Sequence, residues 1–200
     1  MSIAMKGLIA SALLGGVLFA QDGTSNNMTS MTSAGIPAAD RSFMYKAAQG
    51  GMAEVELGQL AQQNAENANV KAFGQRMVTD HSKANDQLKQ LAAQQGVSLP
   101  ATLDAKERAT KARLAKLHGA AFDKAYMQDM VMDHKQDVAE FKHESTAAKT
   151  PALRDWAQQT EPTLESHLME AEKIAPQVGV SGAASAKMGQ ASEGVSAQSH

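Results

Sequence analysis

Apolar residues recur every three or four positions along most of the chain, from about residue 40 to residue 175. Spacing of this kind places the apolar side chains on one face of an amphipathic α-helix. The runs are long, and they are separated by short stretches in which the period is lost. The pattern therefore predicts four long helices, at about residues 40–65, 68–95, 120–148 and 151–175.

Capping and turn residues define the ends of these helices. Asp40 is the predicted N-cap of the first long helix, Gly96 ends the second, and Pro151 lies in the first turn of the last. A shorter helix, capped by Asp104 and running to about residue 118, is predicted between the second and third long helices.

The lengths of the connections predict how the helices are arranged. Short turns near Asn67 and Thr150 make each pair of long helices an antiparallel hairpin, and a long crossover joins the two pairs. The predicted fold class is all-α: a ferritin-like four-helix bundle of two antiparallel hairpins, joined by a long crossover that contains a short helix. The bundle domain is predicted to span residues 40–175.

Both ends of the chain differ from this domain. Residues 1–20 have the pattern of a signal peptide, with Lys6, an apolar stretch at 7–19 and the small Ala20. A membrane anchor is the alternative, but spanning a bilayer takes about 20 apolar residues. We expect removal of this segment and export to the periplasm, with outer-membrane association or secretion left open. Residues 21–39 and 176–200 lack an apolar period and are predicted to be a disordered linker and tail.

Composition excludes several classes of function. The chain has no cysteine, which rules out disulfides, thiolate nucleophiles and cysteine-ligated metal clusters. Its 19 basic and 21 acidic residues give a formal net charge of −2, so no basic face for nucleic acid is indicated. The sequence has no second apolar run, so no transmembrane segment is predicted once the signal is removed. A homo-oligomer and an envelope partner both remain open.

The apolar stripe of each long helix contains one residue whose side chain can bind a metal ion. These residues are Glu54, His81, His134 and His167. His81 and His134 each end a copy of the motif M-V-x-D-H, at residues 77–81 and 130–134. The midpoints of 54 with 81 and of 134 with 167 both fall in the hairpin turns, so each pair is level along its hairpin.

A carboxylate and three imidazoles in a core need partners, because unpaired buried polar groups are costly. A transition metal would supply them, and iron, zinc and copper all accept such ligands. The predicted ligands, one from each long helix, are Glu54, His81, His134 and His167. The aspartates predicted to add ligands or to orient the rings are Asp80, Asp123 and Asp133.

Two other interpretations stay open. The polar residues could hydrogen-bond to one another without a metal, in a structural or interaction protein of the cell envelope. The 12 methionines suggest copper(I) as one possible metal, although methionine at helical spacing usually fills a core. No catalytic constellation can be identified, which favours a protein that is not an enzyme.

Several segments resemble one known family, in the same order along the chain. They are GGMAEVELG at 50–58, FGQRMVTDHSKAN at 73–85, FDKAY at 122–126 and PTLESHL at 162–168, together with the second D-H pair. They are similar to the ferritin-like exported bacterial family of unknown function (domain-of-unknown-function family 4142), often described as outer membrane proteins. The resemblance covers about residues 40–175. It implies a ferritin-like fold and export, and it implies no activity.

Overall fold

The computed structural model of the protein describes residues 35–181, and all regular structure in that range is helical. The long helices are α1 (Ala38–Asn64), α2 (Ala68–Gln94), α4 (Gly119–Ala147) and α5 (Pro151–Ile174); α3 (Ala105–Leu114) is short, and a 3-10 helix follows at Ala175–Val178. The predicted all-α class is confirmed. The ends of the long helices lie within two residues of the predicted ones.

Helical structure extends beyond the predicted domain at both ends, from Ala38 to Val178. Ile36 is buried, and residues 176–178 belong to the 3-10 helix, although both were predicted to lie in disordered segments. The predicted signal peptide and most of the predicted linker and tail lie outside the described residues. Between residues 35 and 181, no helix has the length and apolar character that crossing a membrane requires.

Neighbouring long helices run in opposite directions. In α1 and α2, Gly58 faces Gly74 and Gly51 faces Asn85, so the residue numbers rise on one helix as they fall on the other. A Cβ atom on Gly58 would lie 2.5 Å from the carbonyl oxygen of Gly74, which shows how closely the two backbones approach. Helix α4 packs along α5 in the same antiparallel way, while α2 contacts α5 and α1 contacts α4.

The apolar core consists of two clusters towards opposite ends of the long helices. One contains Phe73, Phe122 and Tyr126 with their neighbours, and the other contains Phe43 and Trp156 with theirs. The residues between the clusters include the four predicted polar residues, all of them buried. The core therefore has a polar layer between two apolar ones.

The crossover between α2 and α4 covers part of this core. Asp104 caps α3 as predicted, because its carboxylate accepts a hydrogen bond of 2.8 Å from the backbone N–H of Glu107. Leu114, at the end of α3, is fully buried. Ion pairs attach α3 to its neighbours, from Lys111 to Glu56 on α1 and from Arg113 to Asp129 on α4. The short helix ends at Leu114, earlier than predicted.

The prediction that Asp40 caps α1 is wrong. The helix begins at Ala38, and the buried Asp40 carboxylate instead accepts backbone hydrogen bonds from Lys149 (3.3 Å) and Thr150 (2.7 Å) at the start of α5. Burial works against its ionisation, yet these hydrogen bonds hold the pKa of Asp40 below its usual value. The carboxylate thus closes the turn of the other hairpin.

Asp123 makes the equivalent contacts on the opposite hairpin. Its buried carboxylate accepts backbone hydrogen bonds from Glu66 (3.3 Å) and Asn67 (2.9 Å), at the turn between α1 and α2. Each of the two long helices α1 and α4 therefore carries an aspartate near its start that binds the turn of the other hairpin. Together these aspartates tie the two hairpins to each other.

We expect Asp40→Ala and Asp123→Ala each to lower the free energy of unfolding by about 1–3 kcal/mol, because each leaves two backbone N–H groups of a turn without their buried carboxylate acceptor. Urea unfolding at neutral pH measures this loss. The control is Asp86→Ala, which removes an exposed carboxylate. Because the pKa of Asp40 is lowered in the folded state, its stabilisation should be present above about pH 4 and lost below it. Equal stabilities for Asp40→Ala and the control would contradict this role.

Candidate metal centre

Three histidines from three different helices meet in the polar layer. His81 on α2 is 6% exposed, while His134 on α4 and His167 on α5 are fully buried. Their ring centroids lie 5.3–5.8 Å apart. One nitrogen of each ring lies within 4.8 Å of those of the other two. The structure thus brings together three of the four predicted ligands.

Hydrogen bonds on the outer side of two rings determine which nitrogens face this common space. The Nδ1–H group of His134 donates to the carbonyl oxygen of Met130 at 3.0 Å, and the Nε2–H group of His167 donates to Asp80 at 2.8 Å. A neutral imidazole has one N–H group, so its other nitrogen keeps a free lone pair. These lone pairs belong to Nε2 of His134 and Nδ1 of His167.

Those two nitrogens, together with Nε2 of His81, are buried and have no hydrogen-bond partner within residues 35–181. Buried polar atoms in folded proteins are nearly always paired, and an unpaired one costs about 1–3 kcal/mol. A cation bound within the histidine group would supply partners for such nitrogens.

Burial keeps the three rings neutral at physiological pH. It lowers the pKa of His81 well below its usual value and the pKa of His134 to about 3, and it also lowers the pKa of His167. The neighbouring histidines add to the shift of His81, because two positive charges in this space would repel each other. Neutral imidazole is the form that binds metal ions.

Asp80 occupies the supporting position predicted for it. Its carboxylate is held by Arg76 at 3.3 Å while it accepts the hydrogen bond from His167. Arg76 also donates to Ser166 and Glu170 of α5, so the network joins α2 to α5. Burial opposes ionisation of Asp80, but the bonds to His167 and Arg76 hold its pKa below the usual value. An ionised carboxylate of this kind orients a metal-binding histidine and makes it more basic.

Glu54 lies beside the three histidines. Its Oε1 atom is 4.0 Å from Nδ1 of His134, and its buried Oε2 atom has no partner in the described part of the chain. The mutually close group contains the three histidine nitrogens without a Glu54 oxygen. Burial raises the pKa of Glu54 well above its usual value, and the nearby acids Asp137 and Asp133 raise it further. The predicted set of four thus becomes three histidines with an adjacent buried carboxyl group.

Two of the predicted supporting aspartates lie elsewhere. Asp123 is 11 residues from His134 along α4, which corresponds to about 16 Å, and its carboxylate binds the α1–α2 turn. Asp133 is next to His134, but adjacent side chains diverge by about 100° around a helix. It lines a neighbouring cavity together with Glu54. Neither aspartate contributes to the histidine group.

The fold and the site together define an all-helical protein with a buried group of three histidines. The sequence profile of one family, Domain of unknown function (DUF4142), matches residues 25–174. The chain therefore belongs to that family, which confirms the resemblance seen in its sequence. No curated protein matches the chain.

A solved structure supports the fold. The crystal structure of a DUF305 fragment from Deinococcus radiodurans aligns with a TM-score of 0.63, covering 72% of this chain and 99% of that one. The two sequences are 13% identical over this alignment. At that level of identity the similarity concerns the fold alone.

The buried histidines should make the metal-free protein less stable in acid. Because the pKa of His134 is lower in the folded than in the unfolded state, its contribution is fully present above about pH 6.5 and is lost as the pH falls below that value. Between pH 7.5 and pH 5.5 we expect wild type to lose about 1 kcal/mol more than His134→Leu does. Urea unfolding with a chelator present measures this difference.

The comparison with His134→Leu is needed because Glu54, whose pKa is raised, changes stability in the opposite direction as pH varies. His143→Leu, which removes an exposed histidine, is the matched control and should show the wild-type pH dependence. Identical pH dependence for wild type and His134→Leu would contradict the prediction.

Proposed function

We propose that this protein is an exported metal-binding protein that holds one transition-metal ion in the core of a ferritin-like four-helix bundle. The observation that carries the proposal is a group of three buried histidines, each of which places one ring nitrogen within 4.8 Å of those of the other two. Each ring also has one buried nitrogen without a hydrogen-bond partner in residues 35–181. The case for export comes from the signal-peptide pattern of residues 1–20.

The contacts among the long helices support a ferritin-like bundle. Each long helix packs against two antiparallel neighbours, in the cyclic order α1, α2, α5 and α4. Helices α2 and α4 both neighbour α1 in antiparallel fashion, so they run parallel, and the connection between them must return along the length of the bundle. Two hairpins joined by one long crossover make up the ferritin-like variant of the four-helix bundle.

The spacing of the nitrogens suits a first-row transition metal after a small contraction. Zinc binds histidine nitrogens at about 2.0–2.1 Å, which in a tetrahedral site places the nitrogens about 3.4 Å apart. The separation of up to 4.8 Å therefore needs to close by little more than 1 Å, which side-chain rotations can supply. Three neutral imidazoles suit zinc, iron or copper and leave a further coordination position open.

Glu54 would balance the charge of such an ion. Three neutral ligands leave the full charge of a divalent cation in the core, where an uncompensated charge is costly. Burial favours the protonated form of Glu54 in the metal-free protein. A cation in the histidine group would favour the ionised form, so metal binding should release a proton.

The alternative is a structural protein whose polar core contains no metal. In such a protein the inward-facing nitrogens would need hydrogen-bond partners, because their burial is otherwise costly. Residues 35–181 supply none for His81 Nε2, His134 Nε2 or His167 Nδ1. This favours the metal-binding function.

Metal titration tests the proposal directly. Mature protein, purified without a histidine tag, should bind one equivalent of Zn²⁺ or Co²⁺, with visible absorption typical of four- or five-coordinate cobalt. His81→Ala, His134→Ala and His167→Ala should each abolish stoichiometric binding, because two remaining nitrogens cannot hold the ion in place. His143→Ala and His118→Ala remove exposed histidines and should bind as wild type does. Circular dichroism verifies that each variant is folded.

The metal proposal fails if wild-type protein binds neither Zn²⁺, Cu²⁺ nor Fe²⁺ in stoichiometric amount and its thermal unfolding temperature is unchanged by all three. Elemental analysis of the purified protein gives an independent measurement of the bound metal.

Asp80 should affect affinity more than stoichiometry. Asp80→Asn removes the charge that orients His167, and we expect metal binding to weaken about 10- to 100-fold. Competition with a chromophoric chelator measures the dissociation constant. Asp86→Asn, which removes an exposed carboxylate from the same helix, is the control and should bind as wild type does. Equal affinities for Asp80→Asn and this control would contradict the supporting role.

A further inference from the structure

A cavity of about 240 Å³ lies next to the three histidines and is lined by residues of α1, α2, α3, α4 and α5. Its charged and titratable lining residues include Glu54, His81, Lys106, Glu107, Asp133 and Asp137. Glu54 and His81 are buried, Glu107, Asp133 and Asp137 are partly exposed, and Lys106 is exposed. The cavity thus extends from the protein surface to the polar layer.

Three acids in this cavity have no close charged partner within residues 35–181, although Lys106 on the cavity wall partly offsets their negative charge. Within the described residues, Glu107, Asp133 and Asp137 accept no side-chain hydrogen bond and form no ion pair, whereas Glu140 on the same wall lies 3.9 Å from Lys46. Burial raises the pKa of Asp137 to about 7, and repulsion from its acidic neighbours adds to this shift. Acids held close together in this way favour the approach of a cation.

The inner end of the cavity provides an independent observation. The Oε2 atom of Glu54 and the Nε2 atom of His81 are both buried without a partner in residues 35–181, and both residues line the cavity. Each is less than one-tenth exposed. The cavity therefore ends at two groups able to bind a cation, and one of them belongs to the histidine group.

We propose that this cavity is the entry route by which a hydrated divalent cation reaches the three histidines, with Glu107, Asp133 and Asp137 attracting it and Glu54 receiving it at the inner end. The proposal rests on the metal-binding function proposed above and adds the path of loading. Carboxylate oxygens can replace water around the incoming ion before the imidazoles bind it. Negative charge along a confined path also raises the local concentration of cations and thus the rate of association.

A charge-neutralising variant tests the electrostatic part. In Glu107→Gln/Asp133→Asn/Asp137→Asn, Co²⁺ uptake measured by stopped-flow absorbance should be about tenfold slower at low ionic strength. The difference should shrink at high salt, because counterions screen the carboxylates. The final cobalt spectrum and the stoichiometry should match those of wild type, since the three histidines are unchanged. Removal of unpaired, partly buried charges should leave the fold at least as stable.

The matched control is Asp86→Asn/Asp155→Asn/Glu165→Gln. It replaces the same number of acidic residues by amides, but its three positions are exposed and lie outside the cavity. This variant should load cobalt within about twofold of the wild-type rate, because distant exposed charges are largely screened.

A second variant tests the path itself without changing any charge. Gly50 lines the cavity, and a Cβ atom built on it would have no neighbouring atom within 4 Å. Gly50→Leu should therefore partly fill the cavity while improving helix propensity in α1. We expect slower Co²⁺ uptake at every salt concentration, with an unchanged final spectrum. Ala139→Leu places the same side chain at an exposed position of α4 and is the control.

The outcomes separate the two proposals. If wild type binds neither Co²⁺ nor any of Zn²⁺, Cu²⁺ and Fe²⁺ in stoichiometric amount, the metal-binding function and the entry route both fail. If wild type binds cobalt while the triple variant and Gly50→Leu load at the rates of their controls, the entry route is wrong and the metal site stands. Slower uptake in both variants, with the final spectrum preserved, supports the route.

Discussion

The four long helices pack around a layer of polar groups that is enclosed by apolar clusters on both sides. In this layer, three imidazoles and the carboxyl group of Glu54 are buried together, where water cannot satisfy them. The burial decides their chemistry. It keeps the rings of His81, His134 and His167 neutral, and it favours the protonated form of Glu54. A cation bound in the group would remove the cost of burying these polar groups, because it supplies partners for the nitrogens and a counter-charge for the carboxylate.

The level of this layer depends on two carboxylates far from it. Asp40 binds the turn before α5, and Asp123 binds the turn before α2. Each bond links the start of a long helix in one hairpin to the turn of the other hairpin, so the hairpins cannot slide past each other without breaking it. The histidines of α2, α4 and α5 can therefore meet at one depth. The contacts of Asp40 and Asp123 therefore stabilise the ends of the bundle and also fix the depth at which the histidines meet.

The cavity shows a second connection between stability and function. Glu107, Asp133 and Asp137 are partly buried and form no ion pair with any residue from 35 to 181, an arrangement that lowers the stability of the metal-free fold. The same arrangement produces negative potential next to the histidine group. Neutral residues at these positions would make the metal-free fold more stable, but they would remove the negative charge that the proposed loading route requires.

A repeat in the sequence indicates equivalent roles for two aspartates, which the helical periodicity alone does not predict. The segment DRSFM at residues 40–44 and the segment DKAYM at residues 123–127 share the order acid, base, any residue, aromatic, methionine. The interval of 123 − 40 = 83 residues also separates Asn67 from Thr150, the residues whose amides the two aspartates bind. This agreement was a signal for the equivalent roles of Asp40 and Asp123. Helix-capping preferences alone assigned Asp40 to its own helix, because such preferences consider only neighbours in sequence.

The sequence by itself determined the long helices, their buried faces and the levels of the polar residues within each hairpin, because these depend on local spacing and on short turns. It identified His81, His134 and His167 for this reason. Only the tertiary structure decided how the hairpins align, which nitrogen of each ring is free, and that Glu54 lies beside the histidines. It also placed Asp123 and Asp133 outside the group and opened the acid-lined cavity. Those features arise from contacts between residues far apart in the chain, and the side-chain period of a single helix contains no information about them.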